Sequence, residues 1–181
     1  IPVNATFINS LTTISGTSSD LESGVSQVNL RIKRQSDNYY WTGSAWGALV
    51  STVTATGSTA WMYPGLTSGN LTTGTTYQLN AWATDQVGNV GAEAQTTFIF
   101  DTTLPVSSVT TPAAGARLNS LPTISGTASD AGVVSLVQVL ITSGPFNSTY
   151  WDGATTWVTG VTWLTATGTA TVEGATVKLG A

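Results

Sequence analysis

Apolar and polar side chains alternate cleanly in two stretches of this chain. Val28, Leu30 and Ile32 take one set of alternate positions, and Asn29, Arg31 and Lys33 take the other. Further on, Tyr77, Leu79, Ala81 and Ala83 alternate with Gln78, Asn80, Trp82 and Thr84. A period of two marks a β-strand with one buried face. The first set of each stretch is therefore expected inside, and the second outside. The same reading predicts strands over residues 1–8, about 12–18 with Ile14 inward, and about 94–100 with Phe98 and Phe100 inward. No segment sustains a helical period. Seven short strands punctuated by Gly and Pro predict an all-β sandwich.

The pattern occurs twice. Thr13-Ile14-Ser15-Gly16-Thr17-Ser18-Ser19-Asp20 returns as Thr123-Ile124-Ser125-Gly126-Thr127-Ala128-Ser129-Asp130, 110 residues on. Each copy follows an Asn-Ser-Leu. Val137, Val139 and Ile141 take the inward places of the second copy. Tyr40-Trp41-Thr42-Gly43-Ser44-Ala45-Trp46 recurs, one residue longer, as Tyr150-Trp151-Asp152-Gly153-Ala154-Thr155-Thr156-Trp157. Thr-Gly and Asp-Gly suit tight turns, so each unit reads as a hairpin with a Trp on each arm. Thr54-Ala55-Thr56-Gly57 matches Thr165-Ala166-Thr167-Gly168 and leads into a further strand. Tyr77, after Gly74-Thr75-Thr76, stands where a sandwich often places a tyrosine that ties down a loop. Asp101-Thr102-Thr103-Leu104-Pro105 reads as a short, stiff linker. The expectation is two tandem β-sandwiches, residues 1–101 and 102–181.

The second copy carries no counterpart of the Tyr77–Asp85 and Phe98–Asp101 strands; residues 169–178 supply one or two strands at most. The second sandwich is thus expected to be incomplete at its C-terminal end. Leu104-Pro105-Val106 matches Ile1-Pro2-Val3, so position 1 falls where an Asp-Thr-Thr linker would end. The chain reads as a stretch of a longer tandem array. Either following residues complete the second unit, or a neighbouring subunit donates strands to it, with Ala175–Leu179 filling part of the gap or acting as the donated strand.

Composition narrows the function classes. Charged residues make up only 8% of 181, far below the usual share of roughly 25%. Ser, Thr, Asn and Gln must carry solubility, which points to an extracellular or surface-layer protein. The net charge is −4, and Arg31, Lys33 and Arg34 form the only basic cluster. Nucleic-acid binding needs more, so none is expected. With no Cys and no His, disulfides, thiol nucleophiles, zinc fingers and His-based triads are excluded. Nine carboxylates are scattered with no pair set by a motif, so no enzyme is expected. No apolar run is long enough to span a bilayer.

Thr-Ile-Ser-Gly-Thr with Ser-Asp, the Val28-Asn29-Leu30-Arg31-Ile32 strand, Ala83-Thr84-Asp85 with Gly88-Asn89, and Asp101-Thr102-Thr103 with Pro105 carry a family resemblance. The chain resembles the tandem bacterial Ig-like, fibronectin-III-like repeats of large prokaryotic cell-surface proteins, over nearly all of residues 1–170. The resemblance implies extracellular stalks, adhesins, sheaths or filaments, with neighbouring repeats or subunits of the same protein as partners.

Two site readings follow. In a fibronectin-like sandwich the loops around Asp20 and Glu22 and around Asp85 and Asn89 share a pole with the entering linker. Asp20, Glu22 and Asp85 would gather in the first domain, and Asp101 with Asp130 in the second, as hard oxygen ligands for Ca²⁺. Calcium-rigidified linkers among such repeats support this. The competing reading is that these carboxylates cap their own loops. The second site uses tryptophans. Trp82, with Trp41 and Trp46, would stack on sugar rings as in a carbohydrate-binding module that contacts polysaccharide or a cell surface. The competing reading is that the hairpin pairs seal the sandwich edge or a contact between domains, which their internal repetition favours. Trp82, on an outward strand face, is the exception. Lys33 and Lys178 are poorly placed for a buried Lys–Asn isopeptide bond. Sequons occur at Asn4, Asn70 and Asn147.

Overall fold

The computed structural model describes the chain apart from residues 1, 3, 122, 144–147, 169–174, 180 and 181, and describes 175–179 by backbone alone. The sequon at Asn147, the first residues of the 1–8 strand and part of the 169–178 stretch lie outside the described residues. The protein is all-β, its one described helical turn being the 3₁₀ turn Ser68–Asn70. Among the described residues no helix is long and apolar enough to cross a membrane. Two compact units divide the chain, Ile1–Thr102 and Thr103–Ala181.

The first unit runs β1 (Thr6–Ile8), β2 (Ile14–Thr17), β3 (Val25–Arg34), β4 (Tyr39–Trp41), β5 (Trp46–Gly47), β6 (Val53–Thr54), β7 (Ala60–Tyr63), β8 (Thr75–Asp85) and β9 (Ala94–Phe100). One seven-stranded sheet has the order β1-β9-β8-β3-β4-β5, with β6 also pairing β3; β2 and β7 form a second sheet. Strand β1 runs parallel to β9, and the other pairs are antiparallel. The alternation on β3 and β8 sets the register. Leu30 faces Ala81 and Ile32 faces Leu79, so apolar rows coincide across the pair.

Both sheets share one core. Val28, Leu30, Ile32, Tyr77, Leu79, Phe98 and Phe100 of the larger sheet pack with Ile14, Trp61 and Tyr63 of the smaller, closed by Leu11 and Leu66. Ala81 and Ala83 are half-buried against this cluster, as small side chains near a strand end permit. The Tyr77 hydroxyl accepts the Thr72 N–H at 2.8 Å and stitches the preceding loop to β8. Asn80 departs from expectation. It lies on the outer face, yet only 5% of its surface is exposed, because polar neighbours close over it.

The second unit runs β10 (Val106–Thr111), β11 (Ile124–Ser129), β12 (Gln138–Val139), β13 (Thr142–Ser143), β14 (Thr149–Trp151), β15 (Trp157–Val158), β16 (Leu164–Thr165) and β17 (Ala175–Leu179). Several of its pairings repeat those of the first unit, but β10 pairs antiparallel with β11, whereas β1 runs beside β9. Val139 pairs Leu164 as Leu30 pairs Val53, and the Ala166 N–H reaches the Val137 carbonyl as that of Ala55 reaches Val28. Strand β17 pairs β11 with Ile124 opposite Leu179, as β7 pairs β2 with Ile14 opposite Tyr63. The 175–179 segment therefore pairs β11 as β7 pairs β2 in the first unit.

Gly126 sits where β10 crosses closely. A Cβ there would lie 2.1 Å from the Ser108 carbonyl oxygen. Among the described residues the second core comprises Ala128, Val134 and Ala166, with Val137 packed against them. Val137, Val139 and Ile141 are only half-buried, and no described strand flanks them as β8 flanks β3. A cavity of about 130 Å³ lies among Ile124, Gly126, Val137, Val139 and Ala166.

Candidate functional site

The outer face of the larger sheet gathers polar and aromatic side chains in rows. Lys33 pairs Tyr40 on one side and Gln78 on the other, Arg31 pairs Asn80, and Asn29 pairs Trp82. The Arg31 guanidinium lies 5.6 Å from the Trp82 ring centre and bonds Glu93 at 2.5 Å. Glu93 also accepts the Asn80 amide at 2.9 Å. Gln78 donates to Asn80 and Gln95, and accepts from Gln35. These side chains form one hydrogen-bonded network. Lys33 lies 6.0 Å from the Tyr40 ring centre and has no carboxylate within ion-pair distance among the described residues. Arg31, Lys33, Tyr40, Val50, Gln78 and Asn80 line a cavity of about 200 Å³.

The expected cation ligands divide differently. Asp20 accepts the backbone N–H groups of Glu22 and Ser23, and these bonds hold its carboxyl below the usual range. Ser23 Oγ stands 3.2 Å from Asp20 and 2.8 Å from Asp85, so the two loops do share a pole. Partial burial of Asp85 pushes its carboxyl up, but bonds from the Asn89 amide, the Ser23 hydroxyl and the Asn89 and Val87 N–H groups outweigh it and leave it lowered. Glu22 is exposed. Asp101 is buried, with the Thr73 hydroxyl 3.4 Å away, and Asp130 accepts the Ala131 N–H. Among the described residues no three carboxylates form a metal-ligating group. Asp20, Asp85 and Asp130 act as caps of their own loops.

The three tryptophans also separate. Trp41 is 2% exposed, and its indole N–H donates to the Tyr63 hydroxyl at 3.0 Å, so no ring face is left for a sugar. Trp46 packs edge-on to it, with ring centres 5.4 Å apart, and donates to the Asn70 carbonyl at 2.8 Å. Arg34 covers Trp46 at 4.9 Å and is clamped by Asp37 at 2.6 and 3.1 Å. In the second unit Trp151 and Trp157 repeat the edge geometry at 5.6 Å. Asp152 absorbs the extra hairpin residue by accepting the N–H groups of Ala154, Thr155 and Thr156. Trp82 remains the half-buried member on an open face. Alternation located Trp82 but not Glu93, Gln95 or the Lys33–Tyr40 pairing, which depend on strands joined across the sheet. No known protein family, characterised protein or solved structure matches the chain.

Proposed function

We propose that the chain is a pair of Ig-like, fibronectin-III-like repeat units from an extracellular surface fibre, filament, sheath or adhesin stalk, and that its work is mechanical. The observation that supports this most is the hairpin tryptophan pair, built in both units with ring centres 5.4 and 5.6 Å apart. A repeat keeps what every unit needs for packing. Long antiparallel pairing of β3 with β8 resists extension, and a weakly charged Thr- and Ser-rich surface suits a crowded exterior. Force spectroscopy of the chain between handles tests this. The first unit should rupture in one step with a length gain of roughly 35 nm, from about 3.5 Å per residue. Smooth lengthening with no rupture would sink the mechanical reading. Labelling of intact source cells with an antibody should place the protein outside.

A second reading, a carbohydrate- or cell-surface-binding module, is favoured by one observation. The face carrying Trp82, Tyr40 and Lys33 is aromatic and amide-rich over a preformed hollow. Retention on insoluble polysaccharides tests it.

A further inference from the structure

We infer that the hollow beneath Lys33 and Tyr40 on the outer face of the larger sheet binds a uronate-bearing oligosaccharide, its carboxylate on Lys33. The inference deepens the binding-module reading and rests on it.

Three features of the face specify this ligand. First, charge is concentrated there. Arg31, Lys33 and Arg34 are three of the five basic residues in a chain of net charge −4. Arg31 is matched by Glu93 and Arg34 by Asp37, which leaves Lys33 as the cation of these three with ion-pairing capacity to spare. A carboxylate placed there gains a charge-assisted hydrogen bond. Second, the walls are neutral amides of a kind that hydrogen-bonds sugar hydroxyls. Asn80 is nearly buried, and Gln78 is held from three sides. The hollow is thus shaped before the ligand arrives, and little side-chain freedom is lost on binding. Third, one aromatic ring, that of Tyr40, lines the hollow, and a second, that of Trp82, stands further along the same face. Trp82 lies four residues from Gln78 along β8, or roughly 13 Å at about 3.3 Å per residue, while Tyr40 flanks Lys33 beside Gln78. Sugar faces stack on such rings.

The size agrees. About 200 Å³ equals roughly seven water molecules at about 30 Å³ each, the scale of one sugar ring rather than a drug-sized ligand. One ring fills the hollow, and its neighbours extend along the face towards Trp82.

The test compares a trigalacturonate with its methyl ester, which keeps the rings and removes the charge. Calorimetry and amide-shift titration on the full chain should show the acid binding about tenfold or more tightly than the ester, the scale of one charge-assisted hydrogen bond. Lys33→Gln should erase that difference by bringing acid binding down to the level of the ester. Tyr40→Ala should weaken both. Equal affinity for acid and ester, or unchanged acid binding in Lys33→Gln, overturns the proposal. Polysaccharide retention that survives in the Lys33→Gln/Tyr40→Ala double variant overturns this site while leaving a binding module elsewhere. A wild-type chain retained by no polysaccharide overturns both.

Discussion

Ser23 donates its hydroxyl proton to Asp85, 2.8 Å away and 62 residues further along the chain. That bond closes the loop pole of the first unit, and it has a pH dependence. Asp85 and Asp20 both titrate lower in the folded protein than in the unfolded chain. A lowered carboxylate adds stability above its unfolded value of about 3.9, and that stability is lost as the pH falls through the folded value. Melting temperature should therefore be flat from about pH 7 to 5 and fall below about pH 4. Asp85→Asn should melt lower at neutral pH and show a shallower acid limb. Asp37, lowered by its bond from Arg34, and Asp152, lowered by backbone N–H groups, keep part of that limb. An acid limb unaltered by Asp85→Asn would remove the account.

Tyr63→Phe tests the buried polar contact of the first core. It strips the hydroxyl that accepts the Trp41 indole N–H and leaves that donor buried and unmatched. The expected loss is about 1–3 kcal/mol by denaturant unfolding. Replacing Trp41 with Phe should cost less in that background than in the wild-type chain, since the orphaned donor goes too.

The two copies of one position should respond unequally. Leu30 is fully buried, and Leu30→Ala should cost about 2–5 kcal/mol. Val139, its counterpart, is half-buried, and Val139→Ala should cost about 1 kcal/mol or less. Hydrogen exchange on the full chain should show the described strands of the second unit opening at lower free energy than β3 and β8. Equal costs at both positions would mean that the second core is closed in solution.

Calcium should leave the melting curve in place. The oxygens of Asp20 and Asp85 already accept bonds from their own loops, and a cation would have to displace them. A rise of melting temperature in millimolar calcium, reversed by chelator, would restore the shared-ion reading.

Strand register was legible because Val28, Leu30, Ile32, Tyr77 and Leu79 must all enter one core, and a slip of one residue would expose every one. The loop pole was half legible. Convergence of the Asp20 and Asp85 loops follows from strand order, but whether a carboxylate meets a cation or an N–H depends on loop geometry that no short motif encodes. The parallel seating of β1 on β9 was not legible, since three residues carry too little pattern to choose an edge. The choice between packing and sugar stacking stayed open at Trp41 for a related reason. Its burial is decided by Tyr63, 22 residues on, through a bond that periodicity does not contain.

The hairpin tip has a use in engineering. At the first tip the Thr42 N–H bonds the Ala45 carbonyl; at the second the Asp152 N–H bonds the Thr156 carbonyl, with one more residue in between. The tryptophan pair below keeps its spacing across that change of length. An epitope tag, a protease cleavage sequence or a dye-labelling cysteine placed between Gly43 and Ala45 would then project from the unit while the aromatic clamp beneath holds its geometry.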